Sequence, residues 1–375
     1  MTRPGRERPL RVGLVVEQAL GPVPGGTGRY AVEIARALAA RPDVQVTGGT
    51  AWHRDTAAAT VPGVGGPRRL PLPRRALIAA WERGTGPAPA RDADVIHAPT
   101  LLLPPRRNRP LVVTIHDAVP WTHPETLTAR GARWHRAMAA RAARTADAVV
   151  VPTRAVESAL REHLELRRVE VVGEGVTSAV TVVPEDAAER ARRLDLPSAG
   201  YLVSLATLEP RKGLDVLLGA LADPVAPELP LLVVGQGGWG GVDPLRTAAE
   251  LGLPPGRVRL LGRLPDEDLA VVLAGATALV VPSRSEGFGL PVLEGMAAGV
   301  PVVTSDAPAL LEVGGDAVLG TPVGDPVALA AVLARVGDDP ALRAELVARG
   351  RRRAASFTWD AAAARLAELY LGLVG

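Results

Sequence analysis

Short runs of apolar, largely β-branched residues recur along the chain. Each is followed by a loop and then by a stretch with helical apolar spacing. In the first half, residues 11–17, 44–47, 94–97, 111–116, 148–151 and 169–172 predict strands, and 29–40 and 153–163 predict helices. In the second half, 201–207, 231–235, 258–261, 278–281, 301–304 and 317–320 predict strands. Helices are predicted over 185–194, 213–221 and 266–274, with two more inside 326–353. Strands that are apolar on both faces suit a parallel sheet covered by helices on each side. The expected fold class is therefore α/β, in two similar halves. The pattern loosens around 173–184, so the expected domains are 1–180 and 181–355, with an amphipathic terminal helix in 356–375. Two such halves facing each other would make a cleft lined by strand carboxyl ends. Residues 53–75, rich in proline, glycine and arginine, read as an excursion between strands.

The most informative stretch is 278–304, ALVVPSRSEGFGLPVLEGMAAGVPVVT. It predicts a strand, a loop with two glycines and one acid, a helix opened by Pro291 and closed by Gly299, and a further strand. Glu286 falls in the loop and Glu294 inside the helix, so both acids can converge on a ligand at the strand ends. The backbone N–H groups of Gly287, Phe288, Gly289 and Leu290 would point the same way, which favours an anion. The bland alternative for each glutamate is a solvated charge near a helix start.

Composition narrows the chemistry. The chain has 375 residues, 47% of them hydrophobic, enough for two packed domains. It has no cysteine, which removes disulfides, thiolate catalysis and cysteine-ligated metals. A net charge of +3 argues for no nucleic-acid partner. No run of 18 or more apolar residues occurs, and residues 1–9 lack an apolar signal core, so a cytoplasmic location is expected. The helical part of 121–145 carries Arg133, Arg136, Arg141 and Arg144 beside Trp134 and Met138. It is either a solvated face or a surface for anionic headgroups or a charged acceptor, so peripheral contact with a membrane's inner face stays open.

The loops after the strands hold the candidate chemistry. Arg211 and Lys212 stand at the predicted start of a helix, where cations and a helix N-terminus together suit a diphosphate. Gly262 and Arg263 form a turn able to present backbone to a planar base. Glu294 can accept from ribose hydroxyls and Glu286 from sugar hydroxyls. His97 and His116 each end a strand, and His116-Asp117 leads into a loop. The glycines between 21 and 28 are either a flexible turn or a loop that lets backbone approach a phosphate or sugar. No Walker-A element and no acid cluster suited to Mg²⁺ is visible, so no metal or cofactor is expected.

The motifs in order also resemble a known family. Residues 285–294 (SEGFGLPVLE) look like the E-x7-E motif of retaining GT-B glycosyltransferases of family 4, which include many bacterial mannosyl- and glucosyltransferases. Residues 207–213 (TLEPRKG), 262–264 (GRL), 299–303 (GVPVV), 26–30 (GTGRY), 114–117 (TIHD) and 123–125 (HPE) are similar to segments of the same family. The resemblance implies two Rossmann-like domains, donor binding mainly in the second, and a terminal helix crossing back to the first. It implies that Arg211 and Lys212 hold the donor diphosphate, Glu294 the ribose and Glu286 the sugar. His116 would lie by the anomeric carbon, and Gly26 near the phosphates and acceptor. It implies metal-independent transfer with retention, the departing phosphate assisting deprotonation of the acceptor. Two departures stand out: Gly213 where the family usually has asparagine, and Glu174-Gly175-Val176 in place of asparagine-glycine-valine.

The expected function is transfer of a hexose, mannose from GDP-mannose first, to a hydroxyl of a glycan, lipid-linked or small-molecule acceptor. UDP-glucose or UDP-GlcNAc is the alternative donor. A non-catalytic nucleotide-sugar-binding protein and a sugar-nucleotide epimerase are the rivals on the same fold.

Overall fold

The computed structural model describes residues 8–375, which separate into two compact units. Unit one holds residues 8–122, Ala129–Glu174 and Thr358–Gly375; unit two holds His123–Thr128 and Gly175–Phe357. The chain thus passes into unit two at Gly175, earlier than residue 180. The short segment 123–128 counts with unit two, which no local pattern announces.

Unit one is built on a parallel sheet of seven strands. These are β1 (Leu10–Val15), β2 (Val44–Trp52), β3 (Gly65–Pro73), β4 (Val95–Ala98), β5 (Leu111–Thr114), β6 (Ala148–Val151) and β7 (Val169–Val171). Their order is β3-β2-β1-β4-β5-β6-β7. Every residue of β4, β5 and β6 is buried, as runs covered on both faces require. Strand β3 corrects the reading of 53–75 as an excursion. It carries three prolines and buries only Leu70, so it shows neither an apolar run nor an alternation. Proline is tolerated there because β3 is an edge strand. A second correction concerns the glycines before the first helix. That helix runs Gly25–Ala39, so Gly26 and Gly28 lie in its opening turns and not in a loop.

The helix Ala129–Thr145 has the thin apolar face and solvated side that its sequence suggests. Met138 is buried, the Trp134 indole donates to Glu82, and Arg136 Nε donates to the Pro120 carbonyl at 2.7 Å. Arg141 donates to the Trp81 carbonyl. The aromatic and apolar part of this helix therefore faces the protein, and Arg133 and Arg144 remain on its exposed side.

The last helix, Trp359–Val374, belongs to unit one and packs on Gly25–Ala39. Thr358 caps it, and its stripe Ala362, Ala363, Leu366, Ala367 and Tyr370 is buried. Its polar anchor is Tyr370, whose hydroxyl bonds His97 Nδ1 at 2.6 Å; His97 Nε2 bonds Thr114 Oγ1 at 2.8 Å. His97 is completely buried. Burial first, and the charge of His116 second, push its pKa down to about 3. His97 is thus a neutral structural group inside the unit, not a ligand at the strand ends. Between about pH 6.5 and 3 the unfolded chain binds a proton that folded His97 refuses. Stability from this residue should therefore be lost as pH drops from about 6.5 toward 3, by about 1.4 kcal/mol per pH unit. Urea midpoints against pH, compared with His97→Gln, will show a flatter acid limb in the variant.

Unit two has six parallel strands: β8 (Leu202–Leu205), β9 (Leu231–Val234), β10 (Val258–Gly262), β11 (Ala278–Val281), β12 (Val302–Ser305) and β13 (Val318–Thr321). Their order is β10-β9-β8-β11-β12-β13. One face packs Leu293, Val292, Met296 and Leu310; the other packs Leu217, Leu221, Leu329 and Leu333. The order reverses between β8 and β11, so the loops that leave these neighbours run to opposite faces. A crevice at the carboxyl ends of this pair is where an open α/β sheet takes its ligand.

Candidate active site

Two loops meet at that reversal. After β8 the chain makes a 3-10 turn, Pro210–Lys212, and enters the helix Leu214–Leu221 through Gly213. After β11 it passes Ser283–Gly289 and enters the helix Leu290–Ala298, with Pro291 in its first turn. Gly213 and Gly289 both adopt left-handed backbone, φ 66° and 93°. Gly213 has a second reason to be glycine: a β-carbon there would lie 2.1 Å from the Pro282 carbonyl oxygen. The loops are stitched by Arg284, whose N–H donates to the Arg211 carbonyl at 2.8 Å. Its guanidinium donates to the Pro210 carbonyl at 2.9 Å and to both carboxylate oxygens of Asp215, at 2.8 and 2.6 Å.

This seam brings three predicted residues together. Arg211 Nη1 donates to Glu286 Oε2 at 2.6 Å and to the Ser285 carbonyl at 2.7 Å. Lys212 Nζ donates to Glu286 Oε1 at 2.6 Å. Ser283 Oγ donates to the same oxygen at 2.8 Å, and Arg211 Nη2 donates to Glu209 Oε1 at 2.6 Å. Burial opposes charge on Glu286, but Arg211, Lys212 and the Ser283 hydroxyl outweigh it and hold the pKa at about 2. Glu286 is therefore a permanent carboxylate. It accepts hydrogen bonds and has no proton to give near neutrality. Glu209 and Glu286 between them fix the positions of the Arg211 and Lys212 side chains.

Glu294 lies within the helix Leu290–Ala298 and is 7% exposed. Gly287 and Leu290 flank the mouth of the same helix, but the Phe288 ring is 4% exposed and packs on Phe357 with centroids 5.6 Å apart. Phe288 can therefore serve a ligand through backbone alone. Gly262 ends β10 with φ 68° and open space around its α-carbon, and Arg263 beside it is exposed. Sequence reasoning missed Glu209, which is 2% exposed and shares Arg211 with Glu286. The signal was present: an acid two residues before the Arg-Lys pair.

His116 and Gly26 belong to unit one. His116 follows β5 and its Nε2 bonds the Pro99 carbonyl at 2.8 Å. Its Nδ1 lies 3.5 Å from Glu174 Oε1, and its ring stands at 83° to that of Tyr30, centroids 4.8 Å apart. Tyr30 lies on the helix that Gly25 and Gly26 open.

The model for glycosyl transferases group 1 matches residues 170–353, and that for glycosyltransferase family 4 matches residues 24–180. The O-antigen chain mannosyltransferase B of Escherichia coli is 32% identical over 272 residues, 71% of each chain. The chain belongs to the group 1 glycosyltransferases. A D-inositol 3-phosphate glycosyltransferase of Salinispora arenicola is 36% identical over 245 residues, 60% of this chain and 54% of its own. This group 1 glycosyltransferase thus spans about half the length of that relative. Among solved structures, the Anabaena protein HepE in complex with UDP and glucose has a TM-score of 0.76 at 20% identity. It covers 97% of this chain and 100% of its own. That likeness is one of fold, two Rossmann-like units as in GT-B proteins. The family match is what makes the chain an enzyme that transfers a sugar from a nucleotide sugar. Among the described residues, no helix is long and apolar enough to cross a membrane.

Proposed function

We propose that this enzyme moves a hexose, mannose from GDP-mannose first, to an acceptor hydroxyl with retention of configuration and without a metal. The observation that carries the reading is the pairing of Arg211 and Lys212 around ionised Glu286 at the β8/β11 reversal. The two cations and the N–H groups at the start of Leu290–Ala298 would neutralise the donor's diphosphate as it departs. Glu286 would accept from hydroxyls of the transferred sugar, and Glu294 from the ribose. Gly262 and Arg263 would border the base. Glu286 has no proton to give as a general acid, and both its oxygens are bonded to Arg211, Lys212 or Ser283, which weakens it as a nucleophile or base. The departing phosphate is left as the group that takes the acceptor's proton, which is the front-face route to retention. His116 and Gly26 would lie on the sugar and acceptor side. The acceptor is a glycan, lipid-linked or small-molecule hydroxyl.

Mannose is favoured by the Escherichia coli mannosyltransferase relative. The D-inositol 3-phosphate glycosyltransferase relative and the UDP–glucose complex of HepE support the alternative, a UDP-sugar donor. Calorimetry and turnover with GDP-mannose, UDP-glucose and UDP-GlcNAc will choose among them, and the anomeric proton of the product will report the stereochemistry. Absence of both binding and turnover with all three would refute the proposal. Binding without turnover would favour a non-catalytic sensor. Glu294→Ala is expected to raise the donor's dissociation constant by about 10- to 100-fold, the worth of a hydrogen bond to a charged group. Glu294→Gln keeps the volume of this buried side chain and should lose less. Unchanged affinity in the alanine variant would remove Glu294 from the site.

A further inference from the structure

The resemblance that fits most of the chain fails at residue 174, where an acid stands in place of an amide. That acid is the last residue of unit one, follows β7 and is 4% exposed. It is not solvated; it faces the ring of His116.

The two ring nitrogens of His116 both meet acceptors. A carbonyl oxygen has no proton, so the 2.8 Å contact with Pro99 requires the proton on Nε2. At 3.5 Å from Glu174, Nδ1 meets a carboxylate. A neutral ring with its proton on Nε2 would turn the Nδ1 lone pair toward that carboxylate, which is repulsive. A second proton on Nδ1 makes the contact an ion pair. We propose that Glu174 is a positioning residue that holds His116 as an imidazolium donating from both nitrogens. The transfer site of this chain then carries a positive charge there in place of a free imidazole base. An amide at 174 would leave Nδ1 unprotonated and available.

The other groups facing His116 do not reverse this. Asp117 on its own loop adds a second favourable carboxylate charge. Tyr30, from the first helix, is buried and pushed well above its ordinary value by that burial, so it stays neutral. His97, from β4, is neutral and adds no repulsion. Burial alone would push the His116 pKa down. Glu174 above all, with the Pro99 carbonyl and Asp117, outweighs it and raises the value.

The test is a ¹³C/¹⁵N-histidine titration of the full chain, with His116→Gln and His97→Gln used only to assign resonances among the six histidines. In the wild type, both nitrogens of His116 should be protonated at pH 6.5 and the midpoint should lie above that. Glu174→Gln and Glu174→Asn should each lower the midpoint by about one pH unit or more. Identical titrations in wild type and both variants, or an unprotonated Nδ1 in the wild type at pH 6.5, would overturn the proposal.

The consequence for transfer rests on the function proposed above. The alkaline fall of kcat/KM should move to lower pH in both variants by the same amount as the resonance. If the resonance moves and the rate profile does not, Glu174 has no positioning role. If the resonance moves and no sugar nucleotide is turned over by any form, the imidazolium stands and the transferase reading fails.

Discussion

Lys212→Ala is expected to lower kcat/KM for the sugar-nucleotide donor by about 10²- to 10³-fold while the protein stays folded. The ammonium stands 2.6 Å from Glu286 and would be one of two cations facing the departing diphosphate. Removing a single preoriented charge of that kind costs about this much in transfer reactions. Glu286 keeps Arg211 and the Ser283 hydroxyl, so the carboxylate stays ionised and the loop keeps its shape. Arg211→Ala should match the loss of rate and add a loss of stability of about 3–5 kcal/mol. It strips Glu209, 2% exposed, of the cation that bonds it, leaving a buried charge uncompensated. Arg211→Lys should rescue little, because one ammonium lacks the fork that serves Glu209, Glu286 and the Ser285 carbonyl together. The checks are steady-state kinetics with whichever sugar nucleotide calorimetry selects and urea unfolding of each variant. A Lys212→Ala enzyme within threefold of wild type would dissociate this cation from the chemistry. The pH dependence has a definite sign. Glu286 is depressed to about 2, so its ion pairs add stability above the unfolded value of about 4.5 and lose it as pH falls through 2.

Gly213→Ala is expected to destabilise unit two by about 3 kcal/mol or more, combining left-handed strain with overpacking. For a domain of this size that is a fall of roughly 6–12 °C in melting temperature. The new β-carbon would sit 2.1 Å from the Pro282 carbonyl oxygen, so one of the two loops must move. The loop after Pro282 carries Glu286, and donor affinity should fall with stability. Gly213→Asn separates the two causes. Asparagine tolerates the left-handed backbone better than alanine but brings the same β-carbon. Both variants should lose stability if the close approach dominates. A Gly213→Asn protein as stable as wild type would show that the loops accommodate a β-carbon beside the Pro282 carbonyl. Asparagine is the family's usual residue here, so that outcome would also make the glycine neutral.

Much of this was legible because it is local. Apolar runs marked twelve of the thirteen strands among the described residues, most plainly β4, β5, β6, β9, β11 and β12, which are buried throughout and offer mostly apolar or small positions. The missing one, β3, lies at an edge, packs through Leu70 alone and is broken by proline. The glycines near 25 hide the helix start for a related reason: glycine is a poor helix former, and only packing of the following turns shows that the helix starts among them. In the helix Ala129–Thr145 composition left two readings, and only the structure shows that Trp134 and Arg136 bond the protein.

By itself, the sequence determined the α/β class, the two halves, and which loops carry chemistry. Strand ends and helix starts are set by neighbours in the chain, so an Arg-Lys pair before one helix and two glutamates around another could be read directly. Only the tertiary structure decided what those residues are to one another. Glu286 meets Arg211 from 75 residues away because β11 lies beside β8. His116 meets Glu174 because β5, β6 and β7 stand side by side and end at one edge. His97 meets Tyr370 across 273 residues. Strand order is fixed by how the helices cross over the sheet, a property of the packed whole to which no local periodicity responds. Periodicity names the faces; strand order chooses the partners, and the partners set the charge each group carries.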